Sequence, residues 1–149
     1  MNETKLDAMM EAMQQVEQDL RDYKWMNQKI IEYNSRNKDD DITIGTSKYG
    51  IGASLPKSNI ISDPTAREAQ RLLREQQRIK RYEEKLRKID QAVAEIKDER
   101  ERAVAEAIMD GDRLYMIAQQ INVSRTTVYE LRKAVIRKLA YSLYKELFS

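Results

Sequence analysis

LYMIAQQINVSRTTVYEL, at residues 114–131, predicts two short helices joined by a tight turn. Its apolar residues recur at helical spacing on both sides of Asn122, a residue type that tolerates the positive φ such a turn needs. Ala118 is small, as two closely crossing helices require, and Ser124 is placed to cap the second helix. The combination indicates a helix-turn-helix. Seven residues are predicted to form its core: Leu114, Ile117, Ala118, Ile121, Val123, Val128 and Leu131.

The outer face of the second helix is polar and basic, as in a helix that enters the major groove of DNA. Arg125 suits bidentate bonds to a guanine edge, and Glu130 can accept from cytosine N4. For Tyr129, partial packing on the long helix and a phosphate contact are equal alternatives. The predicted base-reading residues are Arg125, Thr126, Thr127, Tyr129, Glu130 and Lys133. The predicted phosphate contacts are Ser124, Arg132, Arg137 and Lys138.

The distribution of charge agrees with a polyanionic partner at the C-terminal end. The net charge is +2, but residues 112–149 hold 7 Lys/Arg against 3 Asp/Glu, whereas residues 1–63 hold 8 against 11. Excess positive charge attracts nucleic acid. A solvated Lys/Arg-rich helix is the alternative that charge alone leaves open.

Composition excludes several function classes. The 149 residues include no cysteine and no histidine, which excludes disulfides, thiolate or imidazole zinc sites and His-based catalysis. We therefore expect no enzyme, cofactor, metal site or small-molecule substrate. No apolar run approaches the ~20 residues that span a bilayer, and the acidic N-terminus is no signal peptide. A cytoplasmic protein without a membrane partner is expected.

Residues 1–36 are predicted to form a helix with a heptad pattern. Its apolar residues alternate three and four positions apart, and Asn27 fills a seam position where a polar side chain fixes register. The predicted oligomerisation residues are Leu6, Met9, Met13, Val16, Leu20, Tyr23, Asn27 and Ile30. Association into a homodimer and packing on the second long helix of the same chain are equal alternatives.

Residues 37–63 are predicted to be a flexible loop or linker, because Gly, Pro, Ser, Asn and Asp are concentrated there. Its glycines lack the Gly-Lys-Ser/Thr ending of a phosphate-binding loop. The run Asp39-Asp-Asp41 is interpreted as a solvated charge run.

A long charged helix is predicted over residues 64–98, with Asp63 as its cap and Pro64 at its first position. Its heptad spacing would pair it with the first helix in an antiparallel hairpin, or in a bundle between two chains. Whether residues 64–109 form one continuous helix is left open by the sequence. Gly111 is predicted to end this helical segment.

The predicted fold is all-α: a long N-terminal helical hairpin or coiled coil, followed by a helix-turn-helix domain over residues 99–149. The tail beyond Leu139 is more apolar than a free helix end needs. We expect it to pack against the rest of the chain or against a second copy.

Two segments carry a family resemblance. Ile117-Ala-Gln-Gln-Ile-Asn-Val-Ser-Arg-Thr-Thr-Val-Tyr-Glu-Leu131, followed by Ile136-Arg-Lys-Leu139, resembles region four of bacterial sigma factors, which reads the promoter element farther from the start site. Ile61-Ser-Asp-Pro-Thr65, between a Gly/Ser-rich loop and a long charged helix, is similar to phage regulators of the RinA and ArpU type. Those proteins activate late operons of prophages, notably packaging genes. The resemblance implies a transcription activator that binds double-stranded DNA at a promoter-proximal site and contacts host RNA polymerase.

The alternative is a protein similar to the terminase small subunit, which recognises DNA for phage packaging. Such proteins usually place the DNA-binding motif before the oligomerisation helices, and here the order is reversed. A dimer in light scattering favours the regulator, and a large ring favours the packaging protein.

Overall fold

The computed structural model describes residues 2–47 and 62–148. Over these two ranges the chain is helical without a strand, which confirms the predicted all-α class. The residues group into two units: a C-terminal unit of Met1–Met26 with Lys85–Ser149, and a middle unit of Asn27–Glu84. The helices are α1 (Asn2–Ser47), α2 (Ser62–Ala94), α3 (Glu99–Met109), α4 (Leu114–Gln120), α5 (Arg125–Leu143) and a short 3-10 helix (Lys145–Phe148).

Helix α1 is longer than the sequence predicts. It continues to Ser47, so the prediction of a loop is wrong for residues 37–47. The physical reason is that no proline interrupts this stretch and its one glycine, Gly45, comes at the far end. Asp, Thr and Ile lower helix stability by less than about 0.7 kcal/mol each, so polarity alone does not stop a helix. The rest of the predicted loop, residues 48–61, lies outside the described residues.

The second helical segment is divided in two. α2 begins at Ser62, so the predicted cap at Asp63 is wrong, and Pro64 is the third residue of the helix and not the first. The first turn still accepts a proline, because its N–H groups have no partner within the helix. α2 ends at Ala94. The next helix begins at Glu99, which answers the question left open over residues 64–109.

Side chains near this break form hydrogen bonds with backbone N–H and carbonyl groups that the two helix ends leave without a partner. Asp98 is the N-cap of α3, and its Oδ1 accepts from the backbone N–H groups of Arg100 at 2.8 Å and Glu101 at 3.2 Å. The guanidinium of Arg102 donates to the carbonyl of Ile96, with Nε 3.1 Å from the oxygen. A capped start and a bonded carbonyl remove most of the cost of interrupting a helix.

Gly111 ends α3 in the left-handed region, with φ 84°. Its N–H donates to the carbonyl of Ile108 at 2.9 Å, and the N–H of Asp112 donates to the carbonyl of Ala107 at 2.9 Å. This pair of bonds around a left-handed glycine is a Schellman motif. The predicted end of the helical segment at Gly111 is confirmed.

The core of the C-terminal unit takes buried side chains from all five α-helices. Its most enclosed large apolar side chains are Val16, Ile89, Val104, Ile117, Val128, Val135, Ile136 and Leu139. Burying one such side chain contributes about 1.5–3 kcal/mol. Four of the eight lie on α5 and fix its aliphatic side against the unit, which leaves its opposite side toward solvent.

The heptad stripe of α1 divides between core and surface. Val16 and Leu20 are 0% and 2% exposed, so the structure assigns them to the core of their own chain and not to the predicted interface between copies. Met9, Met13 and Tyr23 are half-buried. A seam of alternating three and four spacing looks the same whether its partner helix belongs to one chain or to two.

Three further positions of α1 are buried without having been predicted: Ala12, Asp19 and Met26. They recur every seven residues and each immediately precedes a predicted seam position. The buried face is therefore rotated toward them. The stripe of large apolar residues did not identify this face because one of its members is small and one is an acid.

The middle unit contains the end of α1 and the start of α2. An ion pair joins Arg36 to Glu75, and Ile79 is buried. Of the predicted stripe, Asn27 is exposed and Ile30 is half-buried. Across the described ranges, no helix combines the length and apolarity needed to cross a membrane.

Candidate nucleic-acid interface

The turn between α4 and α5 is closed by backbone hydrogen bonds around Asn122. Asn122 has φ 57°, and its N–H bonds to the carbonyl of Gln119 at 3.3 Å. The N–H of Val123 bonds to the carbonyl of Ala118 at 3.0 Å. This is a second Schellman motif, with asparagine in the left-handed position. The positive φ predicted at Asn122 is confirmed.

Helix α5 begins at a capped N-terminus. Ser124 is the N-cap, as predicted, and its Oγ accepts from the backbone N–H of Thr127 at 3.2 Å. The hydroxyl oxygens of Ser124 and Thr127 lie 2.9 Å apart. The Thr127 hydroxyl therefore has a partner within the chain, and the Thr127 side chain is half-buried. It is less accessible to a base edge than the exposed Arg125 and Thr126.

A small hydrophobic cluster under α5 holds the helix-turn-helix together. All seven residues predicted for that core lie in it: Ile117, Ala118 and Val128 are buried, and Leu114, Ile121, Val123 and Leu131 pack against them. Helix α3 supplies the third wall through Val104, Ala107 and Ile108. The sequence analysis did not assign this wall, because nothing within residues 114–131 identifies the helix that covers them.

Two rows of polar side chains follow the solvent side of α5. Residues three and four positions apart share one side of a helix. The first row consists of Arg125, Tyr129 and Arg132, and the second row of Thr126, Glu130, Lys133 and Arg137. All are exposed except Arg132, which is half-buried. Tyr129 is 52% exposed, which disfavours the alternative that it packs on a long helix.

Two of the predicted phosphate contacts have acidic partners inside the chain. Arg132 Nη1 lies 3.7 Å from Glu17 Oε1, and the Arg132 side chain is 25% exposed. Lys138 forms a hydrogen-bonded ion pair with Glu101, whose side chain is 11% exposed. Lys138 is therefore committed in part to joining α5 to α3, a role that the sequence analysis did not give it. Glu101 precedes the buried Val104 and Ala105 by three and four positions, which is the sequence signal that it faces the core.

A buried carboxylate on α1 holds the far end of α5. Asp19 is 1% exposed, and its Oδ1 lies 2.7 Å from Lys85 Nζ and 2.9 Å from Gln15 Nε2. Tyr144, the residue that ends α5, donates its hydroxyl to the other carboxylate oxygen. Burial and the bond to this carboxylate raise the pKa of Tyr144 above the ordinary range for a tyrosine. Sequence reasoning missed Asp19 because its partners lie far along the chain.

The C-terminal tail behaves as the sequence predicts for packing within the chain. Ala140 is buried, and Tyr144 reaches Asp19 as described above. Tyr141 and Leu147 are 59% and 47% exposed, so the tail also presents apolar area at the surface.

Comparisons with protein families, with curated proteins and with solved structures give no match for this chain. Its function is therefore inferred from the geometry of the helix-turn-helix and the chemistry of the side chains on it.

Proposed function

We propose that this protein binds double-stranded DNA in a sequence-specific manner and regulates transcription. One observation carries the proposal: α5 is covered along its aliphatic side, while both polar rows of its first turns face solvent. A recognition helix needs this arrangement, because it must be fixed to its domain on one side and enter the major groove with the other.

The proposed roles follow from side-chain chemistry. Arg125 donates two parallel hydrogen bonds to a guanine edge, Thr126 contacts a base edge or a thymine methyl, and Glu130 accepts from cytosine N4. Lys133 lies where it reaches a base or the neighbouring backbone. Arg137, one turn further along the second row, contacts phosphate and positions the helix without reading sequence.

The proposed regulatory role depends on the resemblance to region four of sigma factors and to RinA- and ArpU-type regulators. In this role, the protein activates phage late genes from a promoter-proximal site and contacts host RNA polymerase. One helix-turn-helix contacts few bases, so two copies on half-sites about one helical turn apart supply the affinity.

Selection of bound fragments from random duplex DNA tests the proposal and yields the target site. Arg125→Ala is then titrated against the selected site and against a scrambled duplex. We expect a loss of about 1–3 kcal/mol on the selected site only, with relaxed specificity at one base pair. Arg100→Ala, an exposed arginine on α3, is the matched control and should bind as the parent chain does. Equal losses on both duplexes would refute base reading by Arg125, and an unenriched selection would refute the proposed function.

A further inference from the structure

A cationic cleft of about 710 Å³ lies beside the first turns of α5. Its walls come from α1, from the segment between α3 and α4, from the start of α4 and from the first row of α5. Six of the side chains that line it are cationic or aromatic: Arg21, Arg113, Arg125, Arg132, Tyr115 and Tyr129. Asp112 is the one acid among the described residues that line it.

We infer that this cleft holds backbone phosphates of the duplex that α5 reads, with Arg21 and Arg113 as the added contacts. The inference rests on the proposed function, because the ligand is the same DNA. The arginines belong to three separate segments, so the concentration of guanidinium groups is not a stripe along one solvated helix. A planar guanidinium bonds phosphate oxygens in a bidentate manner.

Continuity with α5 selects a DNA strand over a free small ligand. Arg125 and Tyr129 line the cleft and also belong to the row of α5 that faces solvent at the groove-reading end. A duplex seated on these turns therefore passes the cleft with its backbone. Four arginines against one acid make the cleft a site for an anionic ligand. The hydroxyls of Tyr115 and Tyr129 are further donors for phosphate oxygens.

Helix α1 contributes Arg21 to this cleft and also the acidic partner of Arg132. Arg21 lies one helical turn after Glu17, so the two side chains share one side of α1. Glu17 contacts Arg132 at 3.7 Å, a long ion pair that uses few of the five guanidinium donors. Arg132 therefore remains able to bond an anion from the cleft. The N-terminal helix, for which the sequence leaves association between copies and packing within the chain as alternatives, becomes part of the DNA interface.

The salt dependence of binding tests this inference directly. Duplexes of about 25 base pairs with the selected site or a scrambled site are titrated at several salt concentrations with the full chain, with Arg21→Gln and with Arg113→Gln. Each variant is expected to flatten the slope of log K against log salt by about 0.9, one phosphate contact. Affinity should fall roughly five- to tenfold on both duplexes alike, because phosphate contacts carry no sequence information.

Two matched variants control for the removal of a charge. Arg74→Gln removes an exposed arginine of α2 that does not line the cleft, and it should keep the parent slope. Arg21→Lys keeps the charge and should recover most of the slope. Thermal unfolding of each variant verifies that the fold is intact, and since Arg21 and Arg113 are both exposed, the midpoint should not move.

The outcomes separate the two proposals. A parent chain that enriches no sequence and binds duplex DNA with no salt-dependent affinity removes the proposed function and this inference with it. A parent chain that binds a selected site, while Arg21→Gln and Arg113→Gln keep its slope, overturns the inference and leaves the proposed function standing. A mononucleotide that displaces the duplex from the parent but not from Arg21→Gln also overturns it, because the cleft would then be a site for free nucleotide.

Discussion

Asn122 occupies the left-handed region at φ 57°, where most residues other than glycine are strained. Side chains that cannot bond locally to the backbone are disfavoured there by about 1–2 kcal/mol. We expect Asn122→Ala to lower the free energy of unfolding by about 1 kcal/mol, while Asn122→Gly stays close to the parent or above it. Urea unfolding of the three chains measures the difference. Equal stability of the alanine and glycine variants would show that the turn does not impose this φ.

Tyr144 links stability to pH through its bond to Asp19. Burial, then the hydrogen bond to Asp19 and the negative charge of that carboxylate, raise the pKa of Tyr144. A folded-state pKa above the unfolded value of about 10 means that the native chain binds more protons between the two values. This contribution is present below about pH 10 and is lost as pH rises above it.

The expected result is a smaller alkaline loss of stability in Tyr144→Phe than in the parent. Urea midpoints at about pH 8 and pH 11 measure it, since the unfolded pKa lies between them. Removing the hydroxyl costs about 1.5–3 kcal/mol at the lower pH because one hydrogen bond to a charged group is lost. At the higher pH the difference in stability between the two chains should be smaller by about 1 kcal/mol. A parent and a variant that lose stability in parallel would contradict the assignment. Tyr129→Phe, an exposed tyrosine on α5, is the control.

At the scale of the element, the start of α3 depends on one side chain. Asp98 Oδ1 accepts from two N–H groups that have no partner within the helix. Asp98→Ala is expected to destabilise the chain by about 1 kcal/mol, whereas Asp98→Ser or Asp98→Asn should keep most of the stability. Chemical denaturation measures all three. If serine fails as alanine does, a role other than capping must explain Asp98.

The elements differ in how far the sequence determines them. The helix-turn-helix is predictable because its signals are local: a small Ala118, a left-handed Asn122, the Ser124 cap and apolar residues at fixed spacing. The polar composition of residues 37–47 predicts the end of α1 too early. A helix continues through polar residues where no proline interrupts it. The break before α3 is also local, yet an Asp among many acids on a charged segment does not stand out as a cap.

Residues whose role depends on distant partners were not predictable. Asp19, Glu17 and Glu101 each pair with a residue on another helix, and the sequence does not show which residue that is. Arg21 joins the cleft only because α1 lies beside the helix-turn-helix. A heptad pattern identifies a face that will be covered, but it contains no information about which partner covers it.

At the scale of the whole molecule, the net charge of +2 conceals which cations are available to DNA. Lys138 neutralises Glu101 within the chain, whereas Lys133 and Arg137 extend from the exposed second row of α5. In the proposed complex, these two residues and Arg21, Arg113 and Arg132 of the cleft make about five phosphate contacts, for which the slope of log K against log salt is about −4 to −5. The affinity for duplex DNA should therefore depend on salt far more steeply than the net charge of +2 suggests.

Two neighbouring residues of α5 test that division of charge. Arg137→Gln should flatten the slope by about 0.9, as the loss of one phosphate contact requires. Lys138→Gln removes the same charge one position along the helix but should leave the slope almost unchanged, because its ammonium is already paired with Glu101. Its effect should appear instead in stability, since the largely buried Glu101 carboxylate loses its partner. Duplex titrations at several salt concentrations, with urea unfolding of the same samples, measure both quantities. If Lys138→Gln flattens the slope as much as Arg137→Gln does, the ion pair between Lys138 and Glu101 opens when DNA binds. The C-terminal half of α5 then lies along the DNA backbone.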